Sequence, residues 1–541
     1  MRVICRTIFD KFFTAITALP VVLLVGALLV ILAPMFRRGA GAVVFEGTVE
    51  WRKMQLAEFG HGDEAGIRAE ADRAEAARAA VYEMIDRFKS GADAEQLTDR
   101  AKEIYRDFGK ELQRKDVPPE QYTMLRSLSR EIRDKLDTAF SSSDSGQVRE
   151  LTNDVLQYET DDRFKGTIAS EFFQLARKYQ KTAATVDLNK RDEYALELAE
   201  LEQIVRDMFG PRPTEESPAL AQFRYGATRW DQAQELLFRL LWKEEWVEKQ
   251  PGQPLVKVAT SRKEQFAGTE LEGLFDLVEN NLGRMLNPKG TFYWRYFTDD
   301  STPGHYFGGI GPEILGTLIL TILSMVFVVP LGLISAAYLT ECTREGPVIR
   351  IIRMCINTLA GVPSIVFGLF GLAFFVLFFL PLFGAPSKPC ILAGSLTLAV
   401  LTLPVMIRSS EEAIRTVPQT YKEASLALGA SRFRTFVTVT LPVALPGILT
   451  GVILSLSRVA GETAPILFTA GIAVGPVPKS LLQTTRTLSY GSWDMAVADK
   501  LAPLVPHNQY GMVVTLVLLI LCLNALAIVI RSRVFKRLKG H

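Results

Sequence analysis

The sequence predicts an all-α, polytopic membrane protein with six transmembrane helices and a large helical extracytoplasmic insertion after the first. Three observations carry this. Six stretches are apolar over about 20 residues, the length a helix needs to cross a bilayer. Charge divides the chain. Residues 37–307 hold 40 Lys and Arg against 49 Asp and Glu, a net of −9; the remainder holds 21 against 10, a net of +11, which together make the +2 of the whole chain. Within the polar part, apolar residues recur at spacings of three and four, the period of helices that bury one face. The 541 residues are 48% hydrophobic and 22% charged, which fits a membrane part joined to a polar part.

The predicted spans are Phe12–Phe36, Ile310–Leu339, Cys355–Leu380, Cys390–Ile407, Val443–Ile472 and Tyr510–Ile530. The first is too long for the apolar core of a signal peptide, and no small-x-small cleavage site follows it cleanly, so it reads as a retained span. An even number of spans puts both termini on one side. The N-terminus carries Arg2, Arg6 and Lys11 and the C-terminus reads RSRVFKRLKGH, so both are expected in the cytoplasm. The loop Glu341–Arg353 and the loop of about 409–442 then also fall inside. Arg37 and Arg38 depart from the charge rule. The expected division is residues 1–36 with the first span, 37–295 as the insertion, and 296–541 as a core of five spans.

The insertion reads as helices. Tyr194, Leu198, Leu201, Val205 and Met208 form one stripe, Leu125, Leu128, Ile132 and Leu136 another, and Ile67, Ala71, Ala74 and Ala77 a looser third. VPPE at 117–120, GPRPTEESP at 210–218 and QPGQP at 250–254 mark breaks, and SSSDSG at 141–146 a turn or joint. No strand-like alternation is long enough to matter. The domain is either a docking surface or a helical insertion without chemistry.

Several functions are disfavoured. None of the five cysteines (Cys5, Cys342, Cys355, Cys390, Cys522) lies in 37–307 and no two form CxxC, which argues against a disulfide-stapled outer domain or a zinc site. The four histidines are scattered and point to no metal site. No basic stripe with interleaved aromatics calls for nucleic acid. There is no nucleophile–base–acid arrangement, which argues against an enzyme.

The stretch EASLALGASRFRTFVTVTLP, Glu423–Pro442, lies between the fourth and fifth spans yet is built as structure. Pro418 suits a helix start and Glu423–Leu428 its continuation. Gly429 suits a left-handed helix end, Ser431 caps a second helix through Phe436, and Pro442 opens the next segment. An apolar, small-residue helix outside the bilayer implies a groove that receives it. EAS-LAL-G followed by LP resembles the EAA motif of bacterial ABC importer permeases, with Ser425 where Ala is usual. The resemblance implies a coupling helix seated in a cleft of an ATP-binding subunit, with Glu423, Ala424, Ser425, Gly429, Ala430, Leu441 and Pro442 at or beside that contact. No GxxxxGK[ST] loop occurs, so ATP and Mg are expected in a partner ATPase and no cofactor in this chain.

Further stretches narrow the resemblance: GGIGPEILGTLILT (308–321), AGVPSIVFGLFGL (360–372), LPVMIRSSEEAIRTVP (403–418) and LPGILTGVILSLSRVAGETAPILFTAG (445–471). Together they resemble the PstA-type permeases of phosphate ABC importers over about 296–541 and, faintly, 1–36; residues 37–295 have no counterpart. The resemblance implies a type I ABC importer permease fold, a second related permease subunit, an extracytoplasmic phosphate-binding protein, and inorganic phosphate as cargo. Arg458 and Glu462 stand four apart in an apolar segment, on one helix face. They either line a pathway, where the planar Arg fork suits an oxyanion, or form a neutralised pair that orders the bundle. Arg408 is an anchor at the membrane edge, or, as the resemblance implies, a second pathway residue; Glu411 and Glu412 are expected to pair with neighbouring cations. Gly361, Pro363 and Ser364 interrupt the third span as a packing kink or a pathway flank, and Gly368 and Gly371 read as helix contacts. Two other readings stay open: a permease for sulfate, molybdate or phosphonate, and a membrane signalling or scaffold protein that uses its outer helical domain.

Overall fold

The computed structural model describes residues 2–92, 94–184, 188, 191–212, 226–248, 255–302, 305–344, 346–497 and 506–539. The side chains of Arg2, Arg6 and Lys11, most of GPRPTEESP, QPGQP and the end of the C-terminal basic run with His541 lie outside the described residues. The chain forms two compact units, one up to Phe45 and from Thr291 onward, the other Glu46–Gly290.

Among the described residues of the first unit, six helices are long and apolar enough to cross a membrane: Thr17–Ala40, Gly311–Cys342, Ser364–Leu382, Ile391–Arg415, Arg432–Gly461 and Pro506–Lys536. The fourth span is the hub. It packs on the second, third and fifth, the sixth lies against the fifth, and the first against the sixth. Its core includes Leu320, Val328, Leu398, Met406, Ile414, Ile448 and Val459. Small residues permit the close approach that holds helices together where lipid removes the hydrophobic drive between them. A Cβ on Gly451 would lie 2.1 Å from Ser409 Oγ, and one on Gly371 2.2 Å from Thr397 Oγ1.

The bounds of all six spans differ from expectation; the fourth runs past Ile407 to Arg415 and the sixth covers Pro506–Lys536, and three others differ in kind. The first helix runs past Phe36 to Ala40, where Arg38 Nη1 donates to the Tyr510 hydroxyl at 2.8 Å. The third span does not start at Cys355. Pro347–Leu359 is a separate amphipathic helix with no buried residue, and the chain turns at Gly361–Val362 before Pro363 leads a new helix from Ser364. The interruption therefore precedes the span. The fifth helix ends at Gly461. Glu462 is extended, with φ −75° and ψ 133°, and a short helix Ala464–Thr469 follows. Pro465 in its first turn explains the break, because a proline there has no N–H to continue the preceding ladder.

The second unit is mainly helical, with two hydrophobic cores. One gathers Val81, Ile85, Leu201, Val205, Met208, Phe266 and Phe275; the other gathers Phe108, Ile132, Leu136, Phe140, Phe172 and Tyr179. The three expected stripes lie on helices Arg191–Phe209, Pro119–Ser141 and Glu64–Ala92. Leu201, Met208, Ile132, Leu136 and Ala74 are buried, and Tyr194, Leu128 and Ala77 pack against the cores. Pro119 opens its helix. SSSDSG is a tight link in which Asp144 caps the next helix by accepting from Gly146 N at 2.8 Å. One expectation is corrected: Trp242–Val247 and Val256–Ser261 pair as antiparallel strands. Trp, Val and Thr favour that pairing even without clean alternation, because most of the hairpin is exposed on both faces.

Candidate functional site

The loop between the fourth and fifth spans folds as a helix pair. Gln419–Ala427 is helical, led by Pro418. Its end is a Schellman turn: Gly429 N donates to Leu426 O at 2.9 Å and Ala430 N to Ser425 O at 3.2 Å. Gly429 has φ +83°, a region closed to most residues by their Cβ. Ser431 caps the next helix, its hydroxyl accepting from Arg434 N at 3.3 Å. From Arg432 the helix continues unbroken into the fifth span, through a wider turn at Phe436–Thr440. Leu441 and Pro442 are therefore half-buried within that continuous helix and open no new segment.

Two side-chain links tie the loop down. Ser425 Oγ and Thr435 Oγ1 are 2.9 Å apart, joining the two short helices. The serine that departs from the usual alanine thus supplies a hydrogen bond. Lys422 Nζ lies 2.6 Å from Glu341 Oε1, at the end of the second span. The outward face is apolar and open. Leu428 is 90% and Phe433 78% exposed, beside exposed Glu423 and Ala424. Exposed large apolar side chains clustered on a rigid turn mark a contact surface.

Arg408 stands on the fourth span, 63% exposed, with Nε 3.6 Å from Glu412 Oε1. It borders a cavity of about 260 Å³ shared with Arg353, Glu411 and Arg415. Glu411 pairs with Arg353 at 3.0 Å and Arg415 at 2.8 Å. Arg458 lies in the last turn of the fifth helix, with Nε 3.3 Å from Glu462 Oε1. Glu462 is the C-cap of that helix, four residues on from Arg458, so the two side chains meet at the helix end. Ser489 Oγ holds the Glu462 carbonyl at 3.1 Å, and the neighbouring Ser457 donates to Asn524 of the sixth span at 2.8 Å. The structure does not bring the two arginines together. Gly451 packs on Ser409, and Arg458 is seven residues further along its helix, roughly 10 Å at 1.5 Å per residue.

A buried polar cluster escaped the sequence reading. Glu313, in the first turn of the second span, is fully buried. Its Oε1 is 3.1 Å from His305 Nε2 and 3.5 Å from Arg486 Nη1. Arg486, 4% exposed, also donates to Asp300 Oδ1 at 2.6 Å and Ser301 Oγ at 3.1 Å, and Asn508 Nδ2 donates to the His305 carbonyl at 2.7 Å. A carboxylate at a helix N-terminus is also favoured by the helix dipole. The cluster joins the second span, the segment after the fifth, and the start of the sixth. Its members are too far apart in sequence for any spacing rule to reveal them.

A helical membrane unit with six spans and a tethered, apolar-faced helix pair between two of them defines the class as a multi-pass membrane protein with an exposed contact surface. Residues 307–540 match the family described as binding-protein-dependent transport system inner membrane component. The probable ABC transporter permease protein YqgI of Bacillus subtilis is 33% identical over 283 residues, covering 50% of this chain and 92% of that protein. The phosphate transport system permease protein PstA of Mycobacterium leprae is 32% identical over 260 residues, covering 46% and 79%. Among solved structures, an inward-facing MetNI methionine ABC transporter is 22% identical, covering 42% of this chain and 95% of that one, with a TM-score of 0.35. The chain belongs to the binding-protein-dependent transport system inner membrane component family: it is a multi-pass permease subunit with an additional helical unit at Glu46–Gly290.

Proposed function

We propose that this chain is the permease subunit of an ATP-driven importer that carries inorganic phosphate across a bacterial inner membrane. The observation that carries the reading is the Arg458–Glu462 pair, 3.3 Å apart at a break in the fifth span, in a chain whose relatives include a permease named for phosphate transport. Arg is always charged, and its fork fits tetrahedral oxyanions. The adjacent carboxylate keeps the guanidinium from holding the anion too tightly. A second related permease completes the pathway, a binding protein delivers phosphate, and a separate ATPase binds ATP and Mg. Both termini and the loop at Glu423–Pro442 face the cytoplasm, and the Glu46–Gly290 unit lies outside. ATP-driven movement of the loop is transmitted to the spans through the unbroken helix from Arg432 to Gly461 and the Lys422–Glu341 link.

The reading is tested by uptake of labelled phosphate, against sulfate, into vesicles holding this chain with its partner permease, ATPase and binding protein. ATP-dependent phosphate uptake is expected. Sulfate uptake alone would keep the machine and replace the cargo. No flux from an assembled, ATP-hydrolysing complex would move the reading to a signalling protein built on the outer helical unit.

The loop has its own test. A Cβ at Gly429 meets nothing within 4 Å, so any cost of substitution is conformational. Gly429→Val is expected to cost about 1–3 kcal/mol at the turn and to suppress uptake more than ATP hydrolysis. Gly429→Asn, which tolerates the left-handed region, is expected to retain most uptake. Equal uptake in the two variants would remove the turn from the coupling path.

A further inference from the structure

The helix Pro347–Leu359 joins the second span to the third, and its 13 residues divide into three stripes. Ile349, Arg353 and Ile356 are half-buried and face the protein. Arg353 carries the attachment. Its Nε lies 3.0 Å from Glu411 Oε1 on the fourth span, and its Nη2 donates to the Leu339 carbonyl, near the end of the second, at 3.1 Å. Val348, Ile352, Cys355 and Leu359 recur at helical spacing and, with Ile351, form an exposed apolar stripe. Arg350 and Asn357, with Met354 between them, form the third stripe, which is exposed and mainly polar.

At 1.5 Å per residue the helix is about 20 Å long, short of the roughly 30 Å hydrocarbon core, so it does not cross the bilayer. Its apolar stripe is nonetheless open: Val348 is 65% and Ile351 54% exposed. The spans on either side say what covers it. Ile334 and Tyr338 near the end of the second span, and Ile365, Val366 and Leu369 at the start of the third, are exposed too. The stripe thus lies along the chain between two surfaces that face acyl chains. A helix with one apolar face, one polar face and basic residues beside it settles in the plane of the membrane interface. Arg344 and Arg350 are exposed and form no ion pair among the described residues. A guanidinium suits a lipid phosphate, and a negatively charged leaflet attracts it.

We propose that Pro347–Leu359 is an in-plane membrane helix that binds anionic lipid, with its apolar stripe among the acyl chains and Arg344 and Arg350 on the head-group phosphates. Through Arg353 and Glu411 this contact is tied to the span that leads into the helix pair at Gln419. It belongs to this chain alone and holds whatever cargo the spans carry.

The test is fluorescence quenching of the full-length chain in vesicles of phosphatidylcholine and phosphatidylglycerol. Cys5, Cys342, Cys355 and Cys522 are replaced by alanine and the buried Cys390 is kept. A single environment-sensitive label is placed at Val348→Cys, Ile352→Cys or Asn357→Cys. At Val348 and Ile352, lipids brominated in the acyl chain should quench strongly and aqueous iodide weakly; at Asn357 the order should reverse. Iodide quenching at Ile352 as strong as at Asn357 would put the stripe in water and overturn the proposal. So would an Ile352 label that neither quencher reaches, or one that brominated lipid no longer reaches once the partner subunits are assembled, since protein would then cover the face. With bromine on one lipid at a time, phosphatidylglycerol should be preferred about fivefold, and Arg344→Gln with Arg350→Gln should abolish the preference. The same preference in that double variant, or none in the parent, would overturn the head-group contact.

Discussion

Arg458→Ala is expected to lower ATP-driven phosphate uptake about tenfold to a hundredfold while leaving the complex assembled. The size follows from one lost charge-assisted contact to the passing anion, about 1.5–3 kcal/mol. The fold should tolerate the change. The Arg458 side chain is one-third exposed, and the helix before it is held by Gly451 against Ser409 and by Ser457 on Asn524. Removing an arginine from an apolar segment also removes an insertion cost of about 2.5–3.5 kcal/mol. Arg458→Lys should recover part of the flux, because an ammonium keeps the charge but lacks the planar fork. Glu462→Gln should slow release by strengthening the hold on the anion, lowering maximal uptake more than half-saturation. If Arg458→Ala transports normally but unfolds at a lower temperature, the pair only orders the bundle.

How much of this was legible depended on how local each signal was. The membrane spans follow from apolar length alone, and the loop at 419–435 from Pro418, Gly429 and Ser431, each acting within a few residues. Boundaries were less secure where apolar runs crossed a break. Cys355–Leu359, broken by Asn357 and Thr358, is less apolar than the span after it and sits on an amphipathic helix that also carries Arg350 and Arg353; Arg353 turns to Glu411 and the Leu339 carbonyl. The readable sign was Pro363, which marks the start of the next helix. At the fifth span the sign was Pro465, masked by the apolar residues that follow it. The helical stripes of the Glu46–Gly290 unit were visible because each buries one face. Its buried ion pairs, Arg78 with Glu50 and Arg262 with Glu197, were not. A charged residue in a polar helix looks solvated until the fold brings its partner. The Schellman turn at Gly429 and the Arg262–Glu197 contact show the two cases side by side. The first is written in adjacent residues, whereas the second joins residues 65 apart.

The largest stability effect is expected at the buried cluster. Arg486→Ala removes cationic support from Glu313, which is fully buried and whose Oε2 already has no hydrogen-bond partner among the described residues. Breaking a buried pair from one side typically costs about 3–5 kcal/mol, since the remaining charge stays desolvated and uncompensated. His305 alone remains on that carboxylate, at 3.1 Å. The loss also frees Asp300 and Ser301 and loosens the backbone that packs on the second span. That packing is tight: a Cβ on Gly316 would lie 1.9 Å from the Arg486 carbonyl. Thermal unfolding of the purified chain in detergent measures the effect. The paired change Arg486→Met with Glu313→Leu should restore most of the stability, because two apolar side chains of similar size remove both desolvation costs together. A single-variant loss below about 0.5 kcal/mol, the range of ordinary surface substitutions, would mean that the cluster is solvated and does not hold the second span to the segment after the fifth.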